Sequence, residues 1–476
     1  MTSKFNRFLP ILVVAILLTS CGANTSKNEV KTVSGTPIIT YDTTLKSGAI
    51  TEKVVCKNDA NVSYALYLPS TYKAGNEYPA IYIFDPHADG FLPVNTYRDL
   101  AEKYGYILIG SYNSKNGMPW DAVHQSIKTM FDDSESRLAI DKNRIYTAGF
   151  SGGSRVASSV AIYDGGIRGV IGCSAGFPQL NKQLENKFDF IGIAGNEDFN
   201  MTEMKNLDKN LDATALRHTL IIFDGKHEWA SPTVFEEAFQ WILLNEMKDK
   251  MVATNTAMVD EIKQSYHHQI IEKEGKGKPY EALLLYKRML SFLDGITDIA
   301  ADKKSMDSLS ALDVVKKITV HKTELEKQEL EIQQHYGQAF TQKDINWWMN
   351  EVKQLNAKTK SADAEVAQMY KRIMGYLSLV AYSQANNALN SNHLDQAELF
   401  IKLYALIDPP NSEHSYMDAT LFSKKHESDK VIPALKEAVK LGFNDIARLQ
   451  NDAAFSSLKN NKDYTDLVSE INQKLP

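Results

Sequence analysis

The segment Gly-Phe-Ser-Gly-Gly at residues 149–153 is the feature that most limits how this chain can fold. It follows a strand-like run at 144–148 and precedes residues 154–162, whose small and apolar side chains are typical of a helix. Glycines two positions before and after a serine let a strand and a helix approach closely, because no Cβ atom intervenes. The sequence therefore predicts a strand–turn–helix with Ser151 exposed at its tip. An ordinary turn serine is the alternative interpretation.

Two candidate partners for Ser151 follow, each just past the carboxyl end of a predicted buried strand. Asp198 comes after the run 188–194, and His227 comes after the run 217–223. Parallel strands of an open α/β sheet end at one edge, where ligands bind. A histidine that accepts the serine proton, oriented by a carboxylate, would turn the hydroxyl into a nucleophile. The alternative is that the histidine is a solvated loop residue.

These residues resemble the α/β-hydrolase superfamily, and more narrowly the esterases grouped with polyhydroxyalkanoate depolymerases and feruloyl or acetyl xylan esterases. Residues 141–153 resemble that group's Asp-x-x-Arg-(Ile/Val)-Tyr-x-x-Gly-x-Ser-x-Gly run. Residues 195–198 resemble its Gly-x-x-Asp, and residues 225–229 resemble its Gly-x-His-x-Trp. The resemblance covers about residues 50–247 and implies a Ser-His-Asp triad. The position in the motif favours Asp198 over Glu197 as the acid.

One departure from that group concerns the oxyanion hole, which needs two backbone N–H groups aimed at the developing oxyanion. Gly152, which follows the serine, would supply one of them. Many such esterases carry a His-Gly-rich turn after the third strand, but here the strand leads into Asp-Pro-His-Ala-Asp-Gly at 85–90. We assign the second donor to Ala88 or a neighbour within 87–90.

Three aromatic or imidazole side chains are candidates for contact with substrate. His87 is expected to shape the turn rather than to titrate during the reaction. Trp120 follows a strand, so it would either wall the acyl pocket or pack at a helix start, and Trp229 belongs to the histidine motif. The connection 174–187 is too short to hold a large cap, so we expect an open site suited to bulky or polymeric esters.

Residues 1–20 are predicted to be a lipoprotein signal peptide. Lys4 and Arg7 precede an apolar stretch that is too short to be a permanent membrane span. The following Leu-Thr-Ser-Cys-Gly resembles a bacterial lipoprotein box, which implies cleavage before Cys21 and lipidation of that cysteine. We expect a cell-envelope lipoprotein on the outer or cytoplasmic membrane, with residues 21–35 as a polar tether. An ordinary secretory signal is the alternative.

Charge and cysteine usage exclude some partners and sites. The formal net charge is −6 and becomes −8 without the two positive charges of the signal, which argues against nucleic acid as a partner. No spacing of cysteines and histidines suggests a metal site, and no cofactor is predicted. Cys56 and Cys173 lie in apolar strand-like runs, so buried free thiols are favoured over a disulfide.

The 476-residue chain is too long for one core, and its pattern changes near residue 247. Residues 36–247 alternate β-rich and helical runs, which predicts a mostly parallel sheet covered by helices on both faces. The predicted strands are 62–68, 80–84, 107–111, 145–148, 169–173, 188–194 and 219–223. Residues 248–476 lack strand patterns and show helical periodicity, which predicts an all-α domain.

Part of this helical half repeats every 34 residues, the tetratricopeptide period. Ala385, Ala397, Ile401 and Tyr404 return as Ala419, Val431, Leu435 and Ala438. We therefore interpret residues 248–476 as a tetratricopeptide-like domain that could bind a protein partner. Trp347 and Trp348 are assigned to helix packing rather than to a ligand site.

Two classes of function follow from these observations. The first is a lipid-anchored serine hydrolase that cleaves carboxylic esters through an acyl-enzyme, with a peptidase of the same fold as the nearest chemical alternative. The second is a repeat-based binding or scaffold lipoprotein with a weakened hydrolase site, which the altered turn at 85–90 keeps open. The helical half contains no catalytic constellation, so it is expected to bind or position rather than react. A fragment of residues 36–247 should then hydrolyse small esters about as fast as the full chain.

Overall fold

One mostly parallel sheet forms the centre of the amino-terminal half. The strands are β1 Ala49–Val55, β2 Ser63–Leu68, β3 Tyr78–Phe84, β4 Ile107–Ser111, β5 Ile140–Phe150, β6 Gly169–Cys173, β7 Asp189–Gly195 and β8 His218–Phe223. Their order across the sheet is β1-β2-β4-β3-β5-β6-β7-β8. β2 is antiparallel to β1 and β4, and every pair from β4 to β8 is parallel. All seven predicted strands are therefore present, and β1 adds an antiparallel edge.

The computed structural model describes residues 42–180 and 184–474, without the side chain of the last. The predicted signal peptide, Cys21 and the tether lie outside these residues. Within them, no helix is both long enough and apolar enough to cross a bilayer.

Five helices cover the two faces of the sheet. They are α1 Phe91–Tyr104, α2 Trp120–Arg137, α3 Gly152–Tyr163, α4 Met201–Leu211 and α5 Pro232–Lys248. α1 and α5 pack into the core on one face, through side chains such as Tyr97 and Phe239. α2, α3 and α4 pack into the core on the other face, through side chains such as Ile127, Val160 and Met204. This three-layer arrangement is the α/β-hydrolase fold expected from the sequence.

The arginine of the predicted serine motif has a structural partner at the opposite end of β5. Arg144 pairs with Glu246 of α5, with 2.6 Å between the guanidinium Nη2 and the carboxylate Oε2. The hydroxyls of Tyr106 and Tyr146 also donate to Glu246, which is fully buried. Three donors thus satisfy one buried carboxylate and fix α5 against the sheet.

The carboxy-terminal half is helical throughout the described residues. Its helices are α6 Thr256–Gly275, α7 Pro279–Leu293, α8 Ala300–Ala311, α9 Asp313–Gln342, α10 Ile345–Lys358, α11 Ala364–Asn390, α12 Leu394–Ile407, α13 Ser412–Lys424, α14 Ser428–Lys440, α15 Ile446–Asn451 and α16 Lys462–Lys474, with a short 3-10 helix at Ala453–Leu458. The pairs α6–α7, α11–α12 and α13–α14 pack as helical hairpins.

The residues that repeat every 34 positions lie in α11–α14, and all eight of them are buried. The 34-residue pattern therefore reports the packing positions of two successive helical hairpins. Trp348 is also fully buried, in the core formed by α9–α13. The tetratricopeptide assignment and its protein ligand stay predictions.

The two predicted buried thiols are confirmed. Cys56 and Cys173 are both buried and free. Burial raises the pKa of the Cys56 thiol to about 12, so this group is a neutral core side chain at physiological pH.

The first helical hairpin completes the core of the α/β half. Tyr266 of α6 and Phe292 of α7 are buried in the same apolar cluster as Ile221 of the sheet. Arg288 of α7 pairs with Glu237 of α5 at 3.1 Å. A fragment ending at residue 247 would expose this apolar surface to water, so the predicted independence of residues 36–247 does not follow from the structure. The domain boundary itself stays a prediction.

Candidate active site

The backbone of the turn around Ser151 is closely packed, as the glycines of this turn predict. Ser151 joins β5 to α3 with φ 52°, a left-handed value that is uncommon for a non-glycine residue. A Cβ atom on Gly149 would lie 2.2 Å from the carbonyl oxygen of Gly153, and one on Gly153 would lie 2.0 Å from that of Phe84. Only glycine fits at both positions. Tight packing around the turn therefore holds the strained backbone of Ser151.

Ser151, His227 and Asp198 form one hydrogen-bonded chain. His227 Nε2 lies 3.0 Å from Ser151 Oγ, and His227 Nδ1 lies 2.9 Å from Asp198 Oδ1. Because an ionised carboxylate can only accept, the imidazole carries its proton on Nδ1 and leaves Nε2 free to accept from the serine. The three residues come from the carboxyl ends of β5, β7 and β8, so the sheet brings together side chains that are 76 positions apart.

The structure places Asp198, and not Glu197, against the imidazole. Asp198 is fully buried, and the backbone N–H of Asn200 donates to the same carboxylate oxygen at 2.8 Å. Glu197 instead pairs with Lys371 of α11, with 2.5 Å between Oε1 and Nζ. The two neighbouring acids therefore point to different partners.

Two aromatic rings that the sequence analysis did not single out hold the imidazole. Phe199 stacks on His227 with 4.0 Å between ring centroids and 27° between planes. Phe150 contacts the same ring at 4.8 Å. Each follows or precedes a predicted site residue in the chain, which is the signal that could have identified them. Their packing restricts the imidazole to one orientation.

The turn after β3 is organised around Asp85. The backbone N–H of His87 donates to Asp85 Oδ1 at 2.8 Å, and that of Ala88 donates to the Asp85 carbonyl at 3.0 Å. Trp229 Nε1 donates to Asp85 Oδ2 at 2.9 Å. Burial alone would raise the pKa of Asp85, but hydrogen bonds from His87 and Trp229 outweigh it and hold that pKa below its usual value. The N–H groups of His87 and Ala88, two of those in the 87–90 turn that was expected to face the oxyanion, are thus engaged with Asp85. The donor role of Ala88 stays a prediction.

Asn116 is a site residue that the sequence analysis missed. Its backbone N–H donates to the carbonyl of Pro86 at 2.8 Å, which fixes the loop between β4 and α2 beside the turn after β3. A Cβ atom on Gly152 would lie 1.8 Å from Asn116 Oδ1 and 2.8 Å from Nδ2. The carboxamide therefore lies against the residue that follows the serine. Its position after a central strand is the only sequence signal it carries.

The three predicted substrate contacts differ in their surroundings. Trp229 is half-buried and is tied to Asp85, while Trp120 is 39% exposed at the start of α2 and stacks on His124. The His87 side chain is mostly exposed, and the Asp85 carboxylate, 3.6 Å from its Nδ1, raises the pKa of the imidazole. The substrate contacts of His87, Trp120 and Trp229 stay predictions.

Known proteins give a limited comparison. No protein-family model matches the chain, and no curated protein matches it either. Among solved structures, the fluorophosphonate-binding serine hydrolase FphF of Staphylococcus aureus is 12% identical, covers 42% of this chain and 99% of its own, and has a TM-score of 0.35. An esterase from Pyrobaculum calidifontis is 14% identical over 44% of this chain and 88% of its own, with a TM-score of 0.35. Est1E from Butyrivibrio proteoclasticus is 12% identical over 41% and 99%, with a TM-score of 0.33.

The different partners of the two acids predict different effects of removing their charge. Asp198→Asn should fold but lose roughly 10⁴-fold in kcat on a small ester, because the amide favours the wrong imidazole tautomer. Glu197→Gln should retain kcat within about threefold, since it loses only a surface ion pair. Steady-state kinetics of the two variants test this, and the reverse ranking would show that the acid assignment is wrong.

Proposed function

We propose that this protein is a serine hydrolase that cleaves carboxylic esters through an acyl-enzyme. The hydrogen-bonded chain from Ser151 through His227 to buried Asp198 is the single observation that carries the proposal. Its order along the chain, serine then acid then histidine, and its place at the carboxyl edge of an α/β sheet are those of the hydrolase fold.

In the first half-reaction, Ser151 Oγ attacks the acyl carbon as its proton moves to His227 Nε2. The carbonyl electron pair moves onto oxygen and gives a tetrahedral oxyanion. As the oxyanion collapses, the bond to the alcohol oxygen breaks and the imidazolium returns the proton to that oxygen. Water then repeats the sequence on the acyl-serine and releases the acid. Asp198 stabilises the imidazolium in both halves.

The developing oxyanion requires hydrogen-bond donors near Gly152, the residue that follows Ser151. Gly152 begins α3, so its N–H is one of the first four of the helix and has no intrahelical acceptor. The positive end of the helix dipole also favours negative charge there. The Asn116 carboxamide lies against this residue and can supply a second donor in place of a backbone N–H from 87–90.

The substrate is proposed to be a bulky or polymeric ester. No helix or strand is inserted in the described residues between β6 and β7, so this connection adds no cap over the serine. We also propose, from the sequence alone, that lipidation at Cys21 anchors the chain in the cell envelope. We also propose that the helical half binds a protein partner.

Ester hydrolysis by the full chain tests the proposed activity. We expect turnover of acetyl, longer-chain p-nitrophenyl or feruloyl esters, with kcat lower by several orders of magnitude in Ser151→Ala. Ser126→Ala, which removes an exposed hydroxyl on α2, is the matched control and should behave as wild type. Cleavage of peptides but not esters would favour the peptidase alternative. A folded wild type that cleaves neither would favour the binding lipoprotein.

The role of Asn116 has its own test. Asn116→Ala should lower kcat about 10²- to 10³-fold with little change in KM, because an oxyanion donor acts mainly in the transition state. Met118→Ala removes an exposed side chain of the same loop and serves as the control. Equal kinetics of the two variants would exclude Asn116 as a donor.

A further inference from the structure

Helix α11 of the helical half contacts the loop that carries Asp198. Arg372 Nη1 donates to the carbonyl of Asn196 at 2.7 Å, and Lys371 pairs with Glu197 at 2.5 Å. One turn further along the helix, a Cβ atom on Gly375 would lie 3.2 Å from the ring of Phe199. Three of the four residues 196–199 therefore contact one face of α11, through their backbone or their side chains.

Arg372 is itself held rigidly before it reaches this loop. Its Nε and Nη2 donate to Glu329 of α9, at 3.0 Å and 2.7 Å from Oε2. Arg372 is 5% exposed and Glu329 is fully buried. The fork of the guanidinium leaves Nη1 directed at the single carbonyl of Asn196. A buried ion pair gains little stability over a pair of apolar side chains. What the Arg372–Glu329 pair specifically provides is therefore the contact between Arg372 and the loop.

The loop connects this contact to the imidazole. Two hydrogen bonds hold Asn196 against the end of β8 and the residue that follows it. Its N–H donates to the Phe223 carbonyl at 2.8 Å, and its side-chain amide donates to Asp224 at 2.9 Å. Arg372 holds the same residue through its carbonyl oxygen. Two positions further on, Asp198 accepts from His227, and the next residue, Phe199, stacks on the same ring. A shift of this loop would therefore move Asp198 and Phe199, two of the three groups that orient His227.

We propose that Arg372, held by Glu329, is a positioning residue for Asp198 and His227, so that the helical half completes the catalytic geometry of the α/β half. The inference rests on the proposed hydrolase function. It assigns the helical half a part in the turnover of every ester, small ones included. It therefore differs from the expectation that a fragment of residues 36–247 hydrolyses small esters about as fast as the full chain.

The first test removes the ion pair as a unit in the full chain. Arg372→Met with Glu329→Met leaves no unpaired buried charge and should retain the fold. We expect kcat on p-nitrophenyl acetate to fall about 10- to 100-fold with KM unchanged, since small displacements of catalytic groups have effects of this size. The control is Lys205→Met with Glu326→Met, which removes a different ion pair, between Lys205 of α4 and Glu326 of α9. The control should keep wild-type kcat.

A double-mutant cycle separates positioning from general damage. In an Asp198→Asn background the Met pair should change kcat by less than about twofold, because the group it positions has lost its function. Equal fractional losses in both backgrounds would indicate a merely structural role and overturn the proposal. Unchanged kcat in the folded Met pair would overturn it as well, while leaving the hydrolase function in place.

Arg372→Lys provides a second variant should the Met pair fail to fold. A lysine keeps the charge opposite Glu329 but cannot also reach the Asn196 carbonyl with a second fixed donor. We expect an intermediate fall in kcat with a melting temperature near that of wild type. Wild-type kcat in this variant would overturn the proposal. If the wild-type chain itself hydrolyses no ester, the proposed function fails first and this inference fails with it.

Discussion

The hydrogen bond between His227 and buried Asp198 is the interaction on which the site depends. It fixes the imidazole tautomer and turns Nε2 toward Ser151, which the strained turn presents from the other side. The fold supplies this geometry because parallel strands end at one edge, so residues distant in the chain meet there. The glycines of the serine turn allow the backbone approach that brings β5 and α3 together.

Much of this site follows from sequence because its signals are local. Ser151, Asp198 and His227 each lie just past the end of an apolar, strand-like run, and the seven predicted strands are all present. β1 was missed because it is a mostly exposed edge strand without a continuous apolar run. Whether the N–H of Ala88 is free could not be read from sequence, since that depends on how the turn closes on Asp85.

The roles proposed for Asn116 and Arg372 could not be predicted from the sequence, because they depend on contacts between segments that are far apart in the chain. Arg372 contacts a carbonyl 176 positions away, and in sequence it is one more charged residue on a periodic helix. Its burial beside Glu329 is visible only once α9 and α11 pack. The sequence divides the chain into two halves by pattern, whereas the structure joins them through the core of α5–α7 and through the loop that carries the acid.

Mass spectrometry of the full chain after reaction with a fluorophosphonate shows whether His227 and Asp198 make Ser151 a nucleophile. We expect one equivalent of adduct per chain, mapped by peptide analysis to Ser151, with the adduct forming far more slowly in His227→Ala. An adduct on a different serine, or none on the folded wild-type protein, would contradict this expectation.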